Sequence, residues 1–89
     1  MGTALAKNSE ITFKNGRVQQ SNFNNFRLAR VNESPLEVHV HIIPANWDVP
    51  SSGVGEPPLA PFAPALCNAI FAATGKRIRS LPIGNQLSA

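Results

Sequence analysis

The stretch that decides the fold runs from Pro57 to Gly75 and reads PPLAPFAPALCNAIFAATG. Its apolar residues recur at the three- and four-residue spacing of one helix face: Phe62, Leu66, Ala69, Ile70 and Ala73. Pro57 and Pro58 suit a first helical turn, where an amide has no intrahelical partner. Pro61 and Pro64 predict an irregular beginning, with a regular helix from Pro64. Gly75 is a natural C-terminal cap, so the stretch predicts the main helix of the chain.

The residues just before this helix are Gly53-Val54-Gly55-Glu56-Pro57. Glycine lets the backbone approach a ligand closely, and the start of a helix favours a nearby negative charge. Glu56 is therefore a candidate general base. The plainer interpretation is that Glu56 only complements the helix start, and composition alone favours that interpretation.

A β-hairpin is predicted between Glu10 and Gln20. Asn15-Gly16 is the preferred pair for a type I′ turn, because both central residues of that turn need a positive φ. This turn sets Phe13 opposite Val18 and Lys14 opposite Arg17. Ile11, Phe13 and Val18 are then expected on one buried face.

Residues 36–43 alternate in the manner of a strand that ends at Pro44. Val38, Val40 and Ile42 point one way, and Glu37, His39 and His41 point the other. Two imidazoles and a carboxylate on one face are a possible zinc site. No third strong ligand follows at a diagnostic spacing, so the favoured interpretation is an ordinary polar strand face and no metal. Cys67, the only cysteine, is interpreted as a small hydrophobic residue of the helix.

The composition indicates one small folded unit. The chain has 89 residues, 43% of them hydrophobic, and a net charge of +3. Its basic residues do not alternate with aromatic ones, so nucleic acid is not an expected partner. No apolar run is long enough to span a membrane. We expect residues 1–89 to form a single α+β domain, with a small antiparallel or mixed sheet, a β-hairpin and one main C-terminal helix packed on the sheet.

Three segments in order resemble the C-terminal end of the molybdenum-binding subunit of the xanthine dehydrogenase and aldehyde oxidase family, in the branch of the isoquinoline 1-oxidoreductase β-subunit. The first is EITFKNGRV at 10–18 with QSNF at 20–23, and the second is EVH at 37–39 with IIP at 42–44. The third is GVGEP at 53–57 with APA at 63–65, followed by NAIFAATGKRI at 68–78 and Leu81-Pro82. The resemblance covers most of the chain.

The resemblance implies a role for two residues. In that family the glutamate of the Gly-Val-Gly-Glu motif is the catalytic base in the hydroxylation of aldehydes or N-heterocycles. Glu56 matches this base, and Gly55 matches backbone beside the molybdopterin cofactor. The family usually has glycine where Ser52 and Pro58 stand here. Pro58 stiffens the loop and removes an amide donor.

The resemblance also implies partners. The family's subunit is several times longer than this chain, so molybdopterin would be held mainly by a larger molybdenum-binding portion, which in turn meets an iron–sulfur subunit. The chain alone is expected to be inactive. Its compartment stays open between the periplasm and the cytoplasm of a bacterium, although relatives of this branch are often periplasmic. The alternative is a non-catalytic interaction domain or remnant that associates with itself.

Overall fold

The structure is a computed structural model that describes residues 1–88. It contains two α-helices, α1 (Gly2–Lys7) and α2 (Leu59–Thr74), and two short strands, β1 (Phe13–Lys14) and β2 (Arg17–Val18). A single turn of 3₁₀-helix spans Val31–Glu33. The predicted α+β class, with one hairpin and one main C-terminal helix, is confirmed.

The hairpin forms in the predicted register. β1 and β2 are antiparallel, with Phe13 opposite Val18 and Lys14 opposite Arg17. Asn15 and Gly16 have φ values of 52° and 73°, as a type I′ turn requires. The ladder continues one step further, where the Gln19 amide donates to the Thr12 carbonyl at 2.9 Å. The local turn chemistry is therefore sufficient to fix the register.

Helix α2 ends as predicted but begins earlier. Gly75 caps it with a φ of 73°, and its amide donates to the Phe71 carbonyl at 2.8 Å. The helix is continuous from Leu59, so the irregular beginning predicted before Pro64 is wrong. Pro61 lies in the first turn, where a backbone amide has no intrahelical acceptor, so its missing N–H costs no helix hydrogen bond. Pro64 removes one amide donor, but Ala60, four residues earlier, is exposed and its carbonyl can be hydrated.

The core lies between the two helices and the C-terminal segment. Three apolar residues are buried: Ala6, Ile78 and Ile83. The Ile83 amide donates to the Ala6 carbonyl at 2.8 Å, which fixes the C-terminal segment to the end of α1. A Cβ placed on Gly2 would lie 2.6 Å from the Phe62 ring, so the two helices approach closely at their N-terminal ends. Helix α2 therefore packs on α1, and not on the hairpin as predicted.

An ion-pair cluster connects α1 to the 3₁₀ turn. Lys7 Nζ and Arg27 Nη2 each donate to Glu33 Oε1 at 2.9 Å. The Arg30 amide donates to Glu33 Oε2, also at 2.9 Å. The hydrogen bond from Lys7, the bond from the Arg30 amide and the nearby positive charges lower the pKa of Glu33 to about 2.

Two expected buried surfaces are exposed. On the hairpin, Phe13 is 70% exposed and Ile11 54%, so their predicted burial is wrong in this structure. Residues 36–43 do not form the predicted strand. A strand needs a neighbour for its backbone groups, and the chain supplies none: among the described residues, no backbone hydrogen bond involves residues 35–45.

The chain is consequently open. Its radius of gyration is 16.9 Å, against about 12 Å for a compact domain of this length. Its accessible surface is 7891 Å², against roughly 5,000 Å² for a folded monomer of this mass. Residues 34–58 are all exposed and contribute to this excess.

Candidate functional site

Glu56 lies in the turn that leads into α2. Its carbonyl accepts a hydrogen bond from the Leu59 amide at 2.9 Å, and Pro58 occupies the N-cap position with φ −78° and ψ −12°. The Glu56 side chain is exposed, and within residues 1–88 it makes no hydrogen bond or ion pair. The backbone is therefore fixed while the carboxylate faces outwards.

The start of α2 offers few amides to this carboxylate. Pro57, Pro58 and Pro61 have no N–H, and the Leu59 amide bonds to the carbonyl of Glu56 itself. The favourable interaction of a helix N-terminus with negative charge depends on free amides in the first turn. The expectation that the helix start would support the Glu56 carboxylate is thus only weakly met.

Neither glycine before Glu56 is explained by contacts within the chain. A Cβ built at Gly53 or Gly55 would meet no atom within 4 Å, and neither residue has a positive φ. Both positions leave open space beside the backbone, which an external group can approach without meeting a side chain.

An open hollow adjoins Gly55. It has a volume of about 230 Å³ and lies between the N-terminal ends of the two helices, lined by Met1, Gly2, Gly55, Pro58, Leu59 and Phe62. Its lining is apolar and carries no charged side chain. Glu56 is beside the hollow and not in its lining.

The residues at 53–56 fit a cofactor edge but not an enclosure. The side-chain-free backbone of Gly53 and Gly55 leaves room for a flat polar group, and the Glu56 carboxylate is free to take a proton. The adjoining hollow offers no polar side chain to hold such a group. Residues 53–56 would therefore form at most one side of a molybdopterin site.

The histidine pair does not gather metal ligands. His39 Nε2 lies 3.2 Å from Glu37 Oε2, although the strand that was predicted to bring them together does not form. Both are largely exposed, and residues 1–88 contain no group of three side chains able to hold a metal ion.

Cys67 lies on the half-buried face of α2. That face also carries Leu59, Phe62, Ala63, Leu66 and Ile70. Ala69 and Ala73, which the sequence placed in the apolar stripe, are exposed. The true stripe lies one position away from them, so it brings Cys67 towards the core side.

Two charged arrangements escaped the sequence analysis. The Glu33 cluster includes Lys7, which lies 26 positions earlier, and no local sequence pattern predicts this contact. The Arg77 guanidinium lies 3.5 Å from the centroid of the Phe71 ring, while its Nη1 donates to Asn68 Oδ1 at 3.2 Å. A basic residue just after a helix cap is the only signal that could have indicated this contact.

Comparison with known proteins gives two relatives. The chain is 32% identical over 82 residues to isoquinoline 1-oxidoreductase subunit beta from Brevundimonas diminuta. It is 34% identical over 83 residues to a membrane-bound aldehyde dehydrogenase (pyrroloquinoline-quinone) from Gluconacetobacter polyoxogenes. The matches cover 92% and 93% of the chain and 10% of each relative.

Other comparisons add no match. No family model and no solved structure matches the chain. None of the helices in residues 1–88 has the length and apolar character needed to cross a bilayer. The chain spans about a tenth of the length of the curated relatives it matches. Over nearly its whole length, the chain is thus related to one segment of the isoquinoline 1-oxidoreductase β-subunit and similar aldehyde-oxidising enzymes, as the resemblance in its sequence predicts.

Proposed function

We propose that this chain is the C-terminal part of a molybdopterin-dependent oxidoreductase that hydroxylates aldehydes or N-heterocycles. Glu56 contributes the general base to a site that a larger partner completes. The observation that carries this proposal is an exposed carboxylate without an ion pair in residues 1–88, which follows two glycines. No close contact and no positive φ in the described residues accounts for these glycines. The relatives, one named for isoquinoline and one for aldehyde, support the substrate class.

The chain's own residues have limited tasks in this reaction. When bound, the molybdenum cofactor supplies the redox chemistry and the transferred oxygen. Glu56 holds the proton released during that transfer at a carboxylate oxygen, and the Pro57-Pro58 turn fixes the backbone from which it acts. The backbone at Gly55 would lie beside the bound cofactor. The larger molybdenum-binding portion would hold most of the cofactor, and an iron–sulfur subunit would accept the electrons.

A conservative substitution tests the role of Glu56. In the assembled enzyme, Glu56→Gln keeps the size and polarity of the side chain but removes the base. We expect turnover to fall by roughly 100-fold or more, which is the usual contribution of general base catalysis. Steady-state kinetics with an aldehyde and an N-heterocycle gives the measurement, and the molybdenum and quinone contents are assayed in the same preparation.

Asp48→Asn is the matched control, since Asp48 is an exposed carboxylate in the same open segment with no ion pair in residues 1–88. We expect its turnover to stay within about twofold of the unmodified enzyme, because a carboxylate away from the reacting atoms contributes no proton transfer. Unchanged turnover in Glu56→Gln, with full cofactor content, contradicts the assignment of the base.

A second candidate function has a specific observation in its favour. The large exposed apolar surface fits a non-catalytic interaction domain that retains the family sequence and binds a partner or itself. In that case Glu56→Gln would leave every activity of the complex unchanged, whereas binding would depend on residues 36–54.

A further inference from the structure

The segment between the 3₁₀ turn and α2 exposes many apolar side chains and leaves backbone groups without hydrogen bonds to other backbone. Its large apolar side chains are between 66% and 102% exposed: Leu36, Val38, Val40, Ile42, Ile43, Trp47, Val49 and Val54. Contiguous apolar surface of this extent is rare on monomers and marks interaction sites.

Its backbone is also unpaired. Residues 36–43 contribute eight amides and eight carbonyls, and none bonds to backbone elsewhere in the described chain. The sequence alternates like a half-buried strand, with Leu36, Val38, Val40 and Ile42 on one face. An alternating pattern without a neighbouring strand indicates that the neighbour belongs to another part of the assembly.

We propose that residues 36–43 are a docking strand, which pairs with an open sheet edge of the larger polypeptide that corresponds to the other nine tenths of the relatives. The Val38 and Val40 face is buried against that polypeptide, and the His39 and His41 face stays towards solvent. Main-chain hydrogen bonds to the receiving edge supply affinity, and pockets of the partner that take the apolar side chains fix the register, as in other cases of strand addition. The identity of the partner rests on the function proposed above.

The alignment favours this occupant over a second copy of the chain, and two further observations fit a large interface. The aligned regions cover 92% and 93% of the chain, so in the relatives nearly all of this sequence belongs to one polypeptide with the remaining nine tenths. The excess surface is about 2,800 Å², roughly three times what one partner contributes to a standard interface. Trp47, 99% exposed, is the kind of aromatic residue that anchors such an interface.

Charge gives the partner a further property. Residues 31–75 contain four acidic residues and no lysine or arginine, while all eight basic residues lie in the flanking parts of the chain. Glu37 and Asp48 lie within the exposed segment. A receiving surface with basic groups near Asp48 would complement the charge of this segment.

The test uses the full chain, tagged and recovered from its own cells together with the polypeptide it binds. Hydrogen exchange is compared between the free chain and this complex. We expect every second amide of residues 36–43, those that point to the receiving edge, to exchange at least 100-fold more slowly in the complex, and the bound polypeptide to align with the part of the relatives that this chain lacks. Recovery of the chain as a monomer or as a homo-oligomer overturns the proposal, as does a complex in which these amides exchange as in the free chain.

Two double variants test which face of residues 36–43 contacts the partner. Val38→Asp with Val40→Asp is expected to weaken binding by roughly 100-fold or more, since it places charge against the apolar surface. His39→Asp with His41→Asp makes the same change on the opposite face and is expected to weaken binding by less than about fivefold. Equal losses in both pairs overturn the predicted orientation of the strand. Circular dichroism of the free chains is expected to match in all cases, because the unmodified side chains at these positions are exposed.

The outcomes separate docking from catalysis. Binding is measured without turnover, and Glu56→Gln is expected to bind as the unmodified chain does. Full binding with full turnover in Glu56→Gln refutes the proposed base and leaves the docking strand in place. Loss of turnover in Glu56→Gln, in a complex whose residues 36–43 exchange freely, refutes the docking strand and leaves the base in place.

Discussion

At the scale of single residues, Glu33 has more hydrogen-bond partners than any other charged side chain in residues 1–88. Its side chain is 8% exposed and receives hydrogen bonds from Lys7, Arg27 and the Arg30 amide. Together these contacts hold α1, the 3₁₀ turn and the preceding loop in one place. An unpaired buried carboxylate would be unfavourable, so the cluster depends on all three donors.

The lowered pKa of Glu33 gives a pH dependence of stability. The carboxyl titrates at about 2 in the folded chain and near 4.5 when unfolded. The folded state therefore binds fewer protons between these values, so the stability that Glu33 contributes is complete above about pH 5 and is lost as pH falls towards 2. We expect thermal unfolding of the chain to move to lower temperature over this range, and the Glu33 carboxyl to titrate near 2 by NMR.

Glu33→Gln is expected to abolish most of this acid sensitivity. Glu10→Gln, at an exposed carboxylate with no ion pair in residues 1–88, provides the comparison and is expected to retain it. If both variants lose stability in acid as the unmodified chain does, the Glu33 cluster is not the cause.

At the scale of elements, the end of α2 depends on the backbone of Gly75. Gly75 and Gly53 both have open space where a Cβ would lie, but only Gly75 has a positive φ. We expect Gly75→Ala to lower the free energy of unfolding by about 1 kcal/mol, because a side chain disfavours the left-handed conformation. Gly53→Ala is expected to have little effect on stability. Urea unfolding followed by circular dichroism at a helix wavelength measures both, and equal effects would exclude the conformational explanation.

Features set by neighbouring residues could be predicted from the sequence, whereas features set by distant contacts could not. The Asn15-Gly16 turn and the cap at Gly75 are set by neighbouring residues, and both were predicted correctly. The predicted strand at 36–43 does not form. An alternating sequence indicates that one face is buried, but it does not supply the neighbouring strand that would pair with it. The packing of α2 on α1 was missed for a similar reason, since a six-residue helix has too short a pattern to reveal its partner.

The same distinction applies to the candidate site. The sequence predicted an acidic residue on a turn before a helix, and Glu56 lies there. The role of Glu56 as base and that of Gly55 beside a cofactor stay predictions, because no group among the described residues faces either of them. The Lys7–Glu33 contact could not be predicted at all, since the intervening chain has no regular period.

At the scale of the whole molecule, the open shape predicts association of the isolated chain. With three buried apolar side chains among the described residues and about 2,800 Å² of excess surface, the free chain gains by covering residues 36–54. We expect light scattering to show a mass that rises with concentration, and the Val38→Asp, Val40→Asp pair to reduce this rise. A strictly monomeric chain at high concentration would contradict the expectation.

The uneven distribution of basic residues has one more consequence. Arg30 and Lys76 enclose 45 residues with no lysine or arginine between them, although much of this region is open to solvent. A protease that cuts after basic residues, such as trypsin, finds no cleavage site in the part of the chain that its active site could reach most easily. A protease that prefers aromatic or large apolar residues meets Leu36 and Trp47 fully exposed. The survival of the unassembled chain in a cell is therefore decided by the specificity of the proteases around it, and assembly protects it only against the second kind.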